Sequence, residues 1–251
     1  MTTSTNPVEI PKVIHLCWFG GGEYPSKIQR CIDSWHRFLP DYTIKRWDYA
    51  MAKAIGVPFI DEALSVRKWA FAADVVRLHA LYHDGGLYMD SDILVKRRFD
   101  EFLNAGTVLF QEYHARDVRT NPAGLLSPEG INLRPGRPVC GIGIQAAFMA
   151  SMPGQPVIRH LLDLYTERRF ILPDGSFHEQ PIAPALYAMA LERLGYRYAD
   201  IEQRVDGAHI YPSRYLAGHR SEDSGDAFAI HLVAHSWRNK SIFQKIFGKR
   251  R

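Results

Sequence analysis

The chain has 251 residues, 46% of them hydrophobic, 23% charged and 12% aromatic, with a formal net charge of +4. That length fits one medium-sized domain with a sizeable core, and the composition excludes a disordered or fibrous protein. The three cysteines, Cys17, Cys31 and Cys140, form neither a disulfide framework nor a zinc spacing, and the scattered Lys and Arg argue against nucleic acid as a partner.

In chain order, the first twelve residues hold neither a charged n-region nor an apolar stretch, and no run reaches transmembrane length, so a cytoplasmic protein is expected. Val13 to Phe19 (VIHLCWF) is a short apolar run closed by Gly20-Gly21-Gly22 and reads as a buried strand entering a loop. Within it Cys17 reads as a small buried hydrophobe rather than a nucleophile. Pro25 opens a helix whose Ile28, Ile32, Trp35 and Leu39 recur at helical spacing, and Pro40-Asp41 ends it. Tyr42 to Trp47 is a second strand. A longer helix is predicted from about Glu62 to His83, stopped by Gly85-Gly86. Leu87 to Val95 follows as one strand carrying two aspartates, and Val108 to Glu112 and Ile142 to Ala150 are further strands. Ala115 to Val139, rich in Pro, Gly and Arg, reads as a long loop or flap. Pro156 to Arg168 and Pro184 to Leu194 are predicted helices, and Ala227 to Ala234 a last strand. Strand, helix and strand with short connections predict an α/β fold on a doubly wound sheet. The tail from Lys240 to Arg251 alternates apolar pairs with cations. It reads either as a basic amphipathic helix resting on anionic lipid, giving a peripheral membrane contact, or as a solvated terminus. The expected organisation is one domain over residues 1–237 and a tail over 238–251.

Asp90-Ser91-Asp92 carries the sharpest chemical signal. Asp is a poor strand former, so two of them closing an apolar strand need a reason. At period two both would project on one side, and two close carboxylates repel unless a cation or a shared proton relieves them. Such an oxygen-rich pair suits Mn²⁺ or Mg²⁺, which commonly also hold substrate phosphates. Upstream, Asp74 and Arg77 stand three apart on one helix face among alanines, which predicts a partly buried pair in need of partners. Arg77 suits a phosphate or sugar oxygen, and Asp74 suits sugar hydroxyls.

Ala72-Ala73-Asp74-x-x-Arg77 followed by Gly85-Gly86-x-Tyr88-x-Asp90-x-Asp92 resembles the DXD-containing glycosyltransferases of family 32. That family includes bacterial capsular polysaccharide enzymes and fungal mannosyltransferases, and is similar to the catalytic domains of large glucosylating toxins. Ile10-Pro11-Lys12-Val13-Ile14-His15 with Trp18-Phe19-Gly20, Cys31-Ile32-x-Ser34-Trp35, Pro40-Asp41-Tyr42, and Ala229-Ile230-His231 with Ser236-Trp237 extend the resemblance. It implies a GT-A fold, a single Rossmann-like mixed sheet flanked by helices. It also implies a retaining hexosyl transfer from a UDP- or GDP-sugar to a glycan, lipid-linked or protein acceptor, as in surface polysaccharide biosynthesis, with Mn²⁺ or Mg²⁺ as cofactor. Carried over by position, Asp92 and Asp90 would bind the metal, and Asp74 and Arg77 would hold the donor sugar. Trp18 would stack on the nucleobase, and Ser236 and Trp237 would lie over the diphosphate. Tyr88, one period-two step before Asp90, would line the same donor site, and both Trp18 and Tyr88 also suit a core role. The middle departs from the pattern: Gln145-Ala146-Ala147 lacks the usual polar residue, and Glu179-Gln180-Pro181 only faintly matches the usual turn.

The third metal ligand is open between two histidines, each of which also reads as a core residue. His231 sits where the family pattern has a histidine; His235, four residues on in an extended strand, would lie about 13 Å away, so one ion takes only one of them. The expectation is His231, with His235 nearer the diphosphate or acceptor. Two rival readings exist. An aspartyl-phosphate phosphohydrolase would use Asp90 as nucleophile, but its motif belongs in the first strand. A non-enzymatic nucleotide- or sugar-binding protein would need no cation.

Overall fold

The computed structural model describes residues 9–219, 223 and 225–233. β1 (Val13–Cys17) is built of apolar residues and lies inside the main sheet. Its one polar side chain, His15, is fully buried but satisfied on both nitrogens. The Trp47 indole donates to Nδ1 at 3.1 Å, so Nε2 carries the proton and donates to the Gly85 carbonyl at 2.8 Å. Burial lowers the His15 pKa and keeps the ring neutral.

α1 (Ser26–Phe38) buries one stripe, Ile28, Cys31, Ile32, Ser34 and Trp35. After β2 (Thr43–Trp47) come α2 (Tyr49–Lys53), capped by the Asp48 carboxylate, then α3 (Pro58–Ser65) and α4 (Trp69–His83). α4 is buried on nearly every side, which its four alanines and its Val and Leu residues allow. β3 (Gly86–Met89), β4 (Ile93–Val95), β5 (Thr107–Tyr113), α5 (Ala115–Val118), β6 (Ile142–Ile144) and β7 (Phe148–Ser151) follow. The chain continues through α6 (Pro156–Thr166), α7 (Ala183–Leu191), β8 (Gln203–Val205), β9 (Ala208–Tyr211), β10 (Leu216–Ala217) and β11 (Ala229–His231).

The main sheet has the order β2-β1-β3-β7-β5-β9-β8, with β6 hydrogen-bonded to β5 beside that path. β1 is parallel to β3, and β7 runs antiparallel to both β3 and β5, so β1, β3 and β5 all point the same way. Side chains alternate between two apolar layers. Ile14, Leu16, Leu87, Met89 and Phe110 pack toward Trp35 of α1 and a cluster of Phe99, Phe148 and Phe228, while Tyr88 and Leu109 face α3, α4 and α6. This mixed sheet flanked by helices is the architecture expected from sequence. A second sheet, β10-β11-β4, stands beside it. Among the described residues no helix is long and apolar enough to cross a membrane.

Several predicted elements are divided. The expected helix 62–83 is two helices, α3 and α4, separated at Arg67, whose φ is +58°. No Gly or Pro announces that break. Tertiary contacts fix it: the Glu62 carboxylate accepts the backbone N–H groups of Phe170 (2.7 Å) and Ile171 (3.0 Å), and Lys68 pairs with Glu179 at 2.5 Å. The expected strand 87–95 is β3 and β4, which belong to different sheets. Asp90 and Asp92 therefore lie in a turn closed by Ile93 N–H to the Asp90 carbonyl (3.0 Å), not on one pleat face. The strand 142–150 likewise divides into β6 and β7 around Gln145-Ala146-Ala147. The last strand is shorter than expected, Ala229–His231, and Val233 just after it adopts φ +43°, so the extended geometry invoked for His235 ends before that residue.

Candidate active site

The C-terminal ends of the parallel strands β1, β3 and β5 open onto one cleft of about 1010 Å³. Ligands in α/β sheets sit at such strand ends. The side chains of Trp18, Asp74, Arg77, Tyr88, Asp90, Asp92 and His231, all singled out from sequence, line it together. Ser236, Trp237, His235 and the 238–251 tail lie outside the described residues.

The turn between β3 and β4 is held from three sides. The Asp90 N–H donates to the Ala147 carbonyl at 2.9 Å, and the Leu232 N–H donates to the Asp92 carbonyl at 3.0 Å. α1 holds β4 itself. The Trp35 indole donates to the Ile93 carbonyl (2.7 Å), and the Ser34 hydroxyl accepts the Val95 N–H (3.0 Å). The Cys31-Ile32-x-Ser34-Trp35 block thus acts on the site by satisfying the backbone of the strand that leaves it. β11 pairs antiparallel with β4 so that His231 stands opposite Ile93, directly beside the aspartates.

One ligand atom each from Asp90, Asp92 and His231 lie within 4.8 Å of one another, with His231 Nε2 at 3.3 Å from Asp92 Oδ1. Two carboxylates and an imidazole are a donor set suited to Mn²⁺ or Mg²⁺, and their spacing fits one ion. Burial works against a charged His231, but the hydrogen bond to Asp92 and the charges of Asp92, Asp90 and Glu112 outweigh it and raise its pKa. These surroundings favour a positive charge at this spot.

Behind the turn sits a buried charge network. Arg77 is 4% exposed and contacts Asp74 Oδ1 at 2.9 Å and Asp90 Oδ1 at 3.7 Å. Its other nitrogens donate to the carbonyls of Ala146 (2.5 Å) and Ala73 (3.3 Å), and its guanidinium lies 4.6 Å from the Tyr88 ring centre. Each of its three nitrogens thereby has a protein partner, and Arg77 orients two carboxylates. Burial pushes the Asp74 carboxyl up to about 7; Arg77 opposes that rise and Asp90 adds to it. Tyr88 is fully buried and its hydroxyl donates to Asp90 Oδ1 at 2.6 Å, combining the core and the site roles open in the sequence. Trp18 lies just past β1 on the cleft lip, its indole donating to the Gly21 carbonyl (3.0 Å) and its ring edge-on to Tyr24 at 4.9 Å. The Cys17 thiol also lines the cleft, and burial raises its pKa, so it stays protonated.

The sequence reading missed Glu112, His114 and Asp117, which line the same cleft, and passed over Gln145 as an absence of polarity. Glu112 is the last residue but one of β5, which runs parallel to the strand that delivers Asp90. That position was the available signal, but strand order is invisible in sequence.

Residues 25–109 match the family described as "Glycosyltransferase sugar-binding region containing DXD motif". A curated protein, Inositol phosphoceramide mannosyltransferase 3 of Schizosaccharomyces pombe (strain 972 / ATCC 24843), is 33% identical over 130 residues, 49% of this chain. The matched region spans about a third, 33%, of that relative's length. Among solved structures, PaToxG Glycosyltransferase is similar at a TM-score of 0.47 and 19% identity, covering 73% of this chain and 69% of that one. The Asp90-Ser91-Asp92 turn lies within the region that this family model matches.

Proposed function

We propose that this protein is a metal-dependent, retaining glycosyltransferase of GT-A type that moves a hexose from a nucleotide-diphosphate sugar to an acceptor hydroxyl. The observation that carries this reading is the convergence of Asp90, Asp92 and His231 at the mouth of a large cleft. The cleft's charge supports the cation independently. Among the described residues, six carboxylates (Asp74, Asp90, Asp92, Glu112, Asp117 and Glu179) line it against two permanent cations, Lys68 and Arg77. An anionic diphosphate would be repelled there unless a divalent ion came with it.

Asp90, Asp92 and His231 are the residues that would hold Mn²⁺ or Mg²⁺, whose chemistry is to stabilise the departing nucleoside diphosphate. Tyr88 and Arg77 hold the Asp90 carboxylate in place, so its position does not depend on the donor. Asp74 accepts hydroxyls of the donor sugar, and Trp18 offers an aromatic face at the lip for the UDP or GDP base. Bond cleavage creates an oxocarbenium-like sugar and added negative charge on the diphosphate, which fixed dipoles in a dry cleft stabilise. Retention is read as same-face attack, the departing phosphate taking the acceptor proton.

The relative's name specifies a mannosyltransferase and inositol phosphoceramide. It supports hexosyl transfer here, and keeps a lipid-linked acceptor beside glycan and protein ones. Function at the cytoplasmic face of a membrane rests on the basic tail of the sequence, and a place in surface polysaccharide synthesis on the resemblance to capsular polysaccharide enzymes. Incubation of the full chain with a UDP- and GDP-sugar panel, Mn²⁺ and excess chelator tests the core of the proposal. Donor turnover that Mn²⁺ supports and chelator abolishes is expected. Turnover indifferent to chelator would leave the aspartates structural, and binding without any turnover would favour the non-enzymatic reading.

A further inference from the structure

Of the seven large apolar side chains exposed among the described residues, four (Ile131, Leu133, Leu194 and Ile201) fall on two short segments. Those segments touch. The Tyr198 N–H donates to the Gly130 carbonyl at 2.8 Å, and the Asn132 amide donates to Glu192 Oε1 at 2.8 Å. Residues 131–133 are held extended: the Ser127 N–H donates to the Ile131 carbonyl (2.9 Å) and the Leu133 N–H to the Leu125 carbonyl (2.8 Å). Alternation then turns Asn132 inward, 8% exposed, and Ile131 and Leu133 outward, 46% and 56% exposed. Beneath them Leu125, Val139, Leu191 and Tyr198 belong to the main core, so the patch sits on a fixed base.

Around these side chains the charges are sorted by sign. Arg134, Arg137, Arg193 and Arg197 are all exposed, and none forms an ion pair among the described residues. Arg134 and Arg137 bracket a turn at Pro135-Gly136, closed by the Arg137 N–H on the Arg134 carbonyl at 3.0 Å. A Cβ on Gly136 would meet nothing within 4 Å, so the turn stands clear. The acidic residues of the same segments direct their oxygens to the protein. Glu192 accepts from Asn132 and from the Tyr198 hydroxyl (2.7 Å), and Asp200 accepts the Ser213 N–H and hydroxyl, each at 2.7 Å. Glu129, at the edge, accepts the Ser127 hydroxyl at 2.7 Å. What faces water is therefore aliphatic and cationic together. Single exposed aliphatics are ordinary, but a cluster among unpaired cations marks an interaction surface. An anionic bilayer complements both parts: aliphatic side chains enter the boundary between headgroups and acyl chains, while arginines bind lipid phosphates from their long stems. A second copy of this patch would instead set four arginines against four others.

We propose that this surface, formed by residues 130–137 and 192–201, docks the protein on a membrane containing anionic lipid. It is distinct from the basic tail and does not depend on the glycosyltransferase reading. It is also remote from the metal-ligand candidates: the start of α7 lines the cleft, whereas Arg193 and Leu194 follow its far end, nine residues or about 14 Å on. In the full chain, Cys140→Ser with Leu133→Cys places an environment-sensitive dye on the patch. The two remaining thiols, Cys17 and Cys31, are half-buried and buried, and the Cys140→Ser chain alone is the blank. Vesicles of phosphatidylcholine with phosphatidylserine should shift the dye's emission to the blue, and phosphatidylcholine alone should not. A dye at Gln29→Cys on α1, which packs on the other layer of the sheet, should stay unchanged. In sedimentation with the same vesicles, Arg134→Ser with Arg137→Ser should raise the lipid concentration for half-maximal binding about ten-fold or more, and high salt should weaken the native chain likewise. Ile131→Ser with Leu133→Ser should weaken binding about five-fold or more with Tm unchanged, because both side chains are already exposed. Sedimentation with a silent Leu133 dye would place the membrane contact elsewhere and overturn the proposal. So would no binding to anionic vesicles, or an equal shift with soluble polyglutamate, which would make the patch a docking surface for an acidic protein.

Discussion

Asp92 and His231 form the contact on which the site's chemistry turns. Asp92→Asn is nearly isosteric, so the fold should persist while the anionic ligand is lost. If the interaction is made mainly in the transition state, about 3–5 kcal/mol disappears, or about 10²–10⁴ in turnover. Single-turnover rates with a saturating donor check this, and a variant within a few-fold of the native rate would remove Asp92 as an anchor. His231 adds a pH dependence. Its pKa lies above the ordinary 6.5 in the metal-free protein, because the neighbouring carboxylates outweigh burial. A protonated imidazole cannot bind a metal, so the proton must leave when Mn²⁺ enters. Apparent Mn²⁺ affinity should therefore climb as pH rises through that raised value and level off above it. Calorimetry in buffers of different ionisation enthalpy should report proton release near neutral pH, and His231→Ala should abolish that release. An unchanged proton count in the variant would place the third ligand elsewhere.

Two elements set the geometry of the site, the buried helix α4 and the turn into β3. α4 carries Asp74 and Arg77 into the protein interior, where a pair is tolerated only while both partners remain. Asp74→Ala leaves the Arg77 guanidinium buried without its closest carboxylate, and a loss of about 3 kcal/mol in unfolding free energy is expected. Denaturant titration with an unchanged m-value would measure it. Loss below half a kilocalorie would mean that Asp90 and the Ala146 carbonyl suffice for Arg77. At the start of β3, Gly86 has φ +97°, and a Cβ there would lie 2.5 Å from the Val13 carbonyl oxygen. Gly86→Ala combines strain with a backbone clash between β1 and β3, predicting destabilisation of about 1–3 kcal/mol. Since β3 delivers Asp90, activity should fall as well; native stability in this variant would show that the two strands can separate without cost.

Across the whole molecule, the excess of carboxylates in the cleft makes cation and donor binding interdependent. Neither the diphosphate alone nor a sugar alone compensates six acidic side chains. Stabilisation by a sugar nucleotide should appear only with Mn²⁺ or Mg²⁺ present. At a hundred times Kd, mass action gives about 2.7 kcal/mol, which for a chain of this size raises Tm by about 5–10 °C. A thermal-shift panel with and without cation measures the coupling, and equal shifts in its absence would show that the protein binds the nucleotide through its own groups.

How much of this was legible in sequence differs by residue. The two apolar layers follow from alternation in VIHLC and GLYM, and α1 from the spacing of Ile28, Ile32 and Trp35, because local periodicity reports which face meets the core. Asp74, Arg77, Asp90, Asp92 and His231 stand out because charged and metal-ligating side chains in apolar surroundings need partners. The break at Arg67 was not legible, since it is fixed by Glu62 reaching the backbone more than a hundred positions away. Nor was the turn geometry of Asp90-Ser91-Asp92: one continuous apolar pattern serves two strands equally well, and only pairing with β7 on one side and β11 on the other divides it. Glu112 and Gln145 look ordinary in sequence because their meaning depends on strand order. The sequence by itself determined the α/β class and the residues that need a ligand or a counter-charge, because those properties are local. The tertiary structure alone decided which of them share a cleft, because that is set by hydrogen-bond pairing between distant segments.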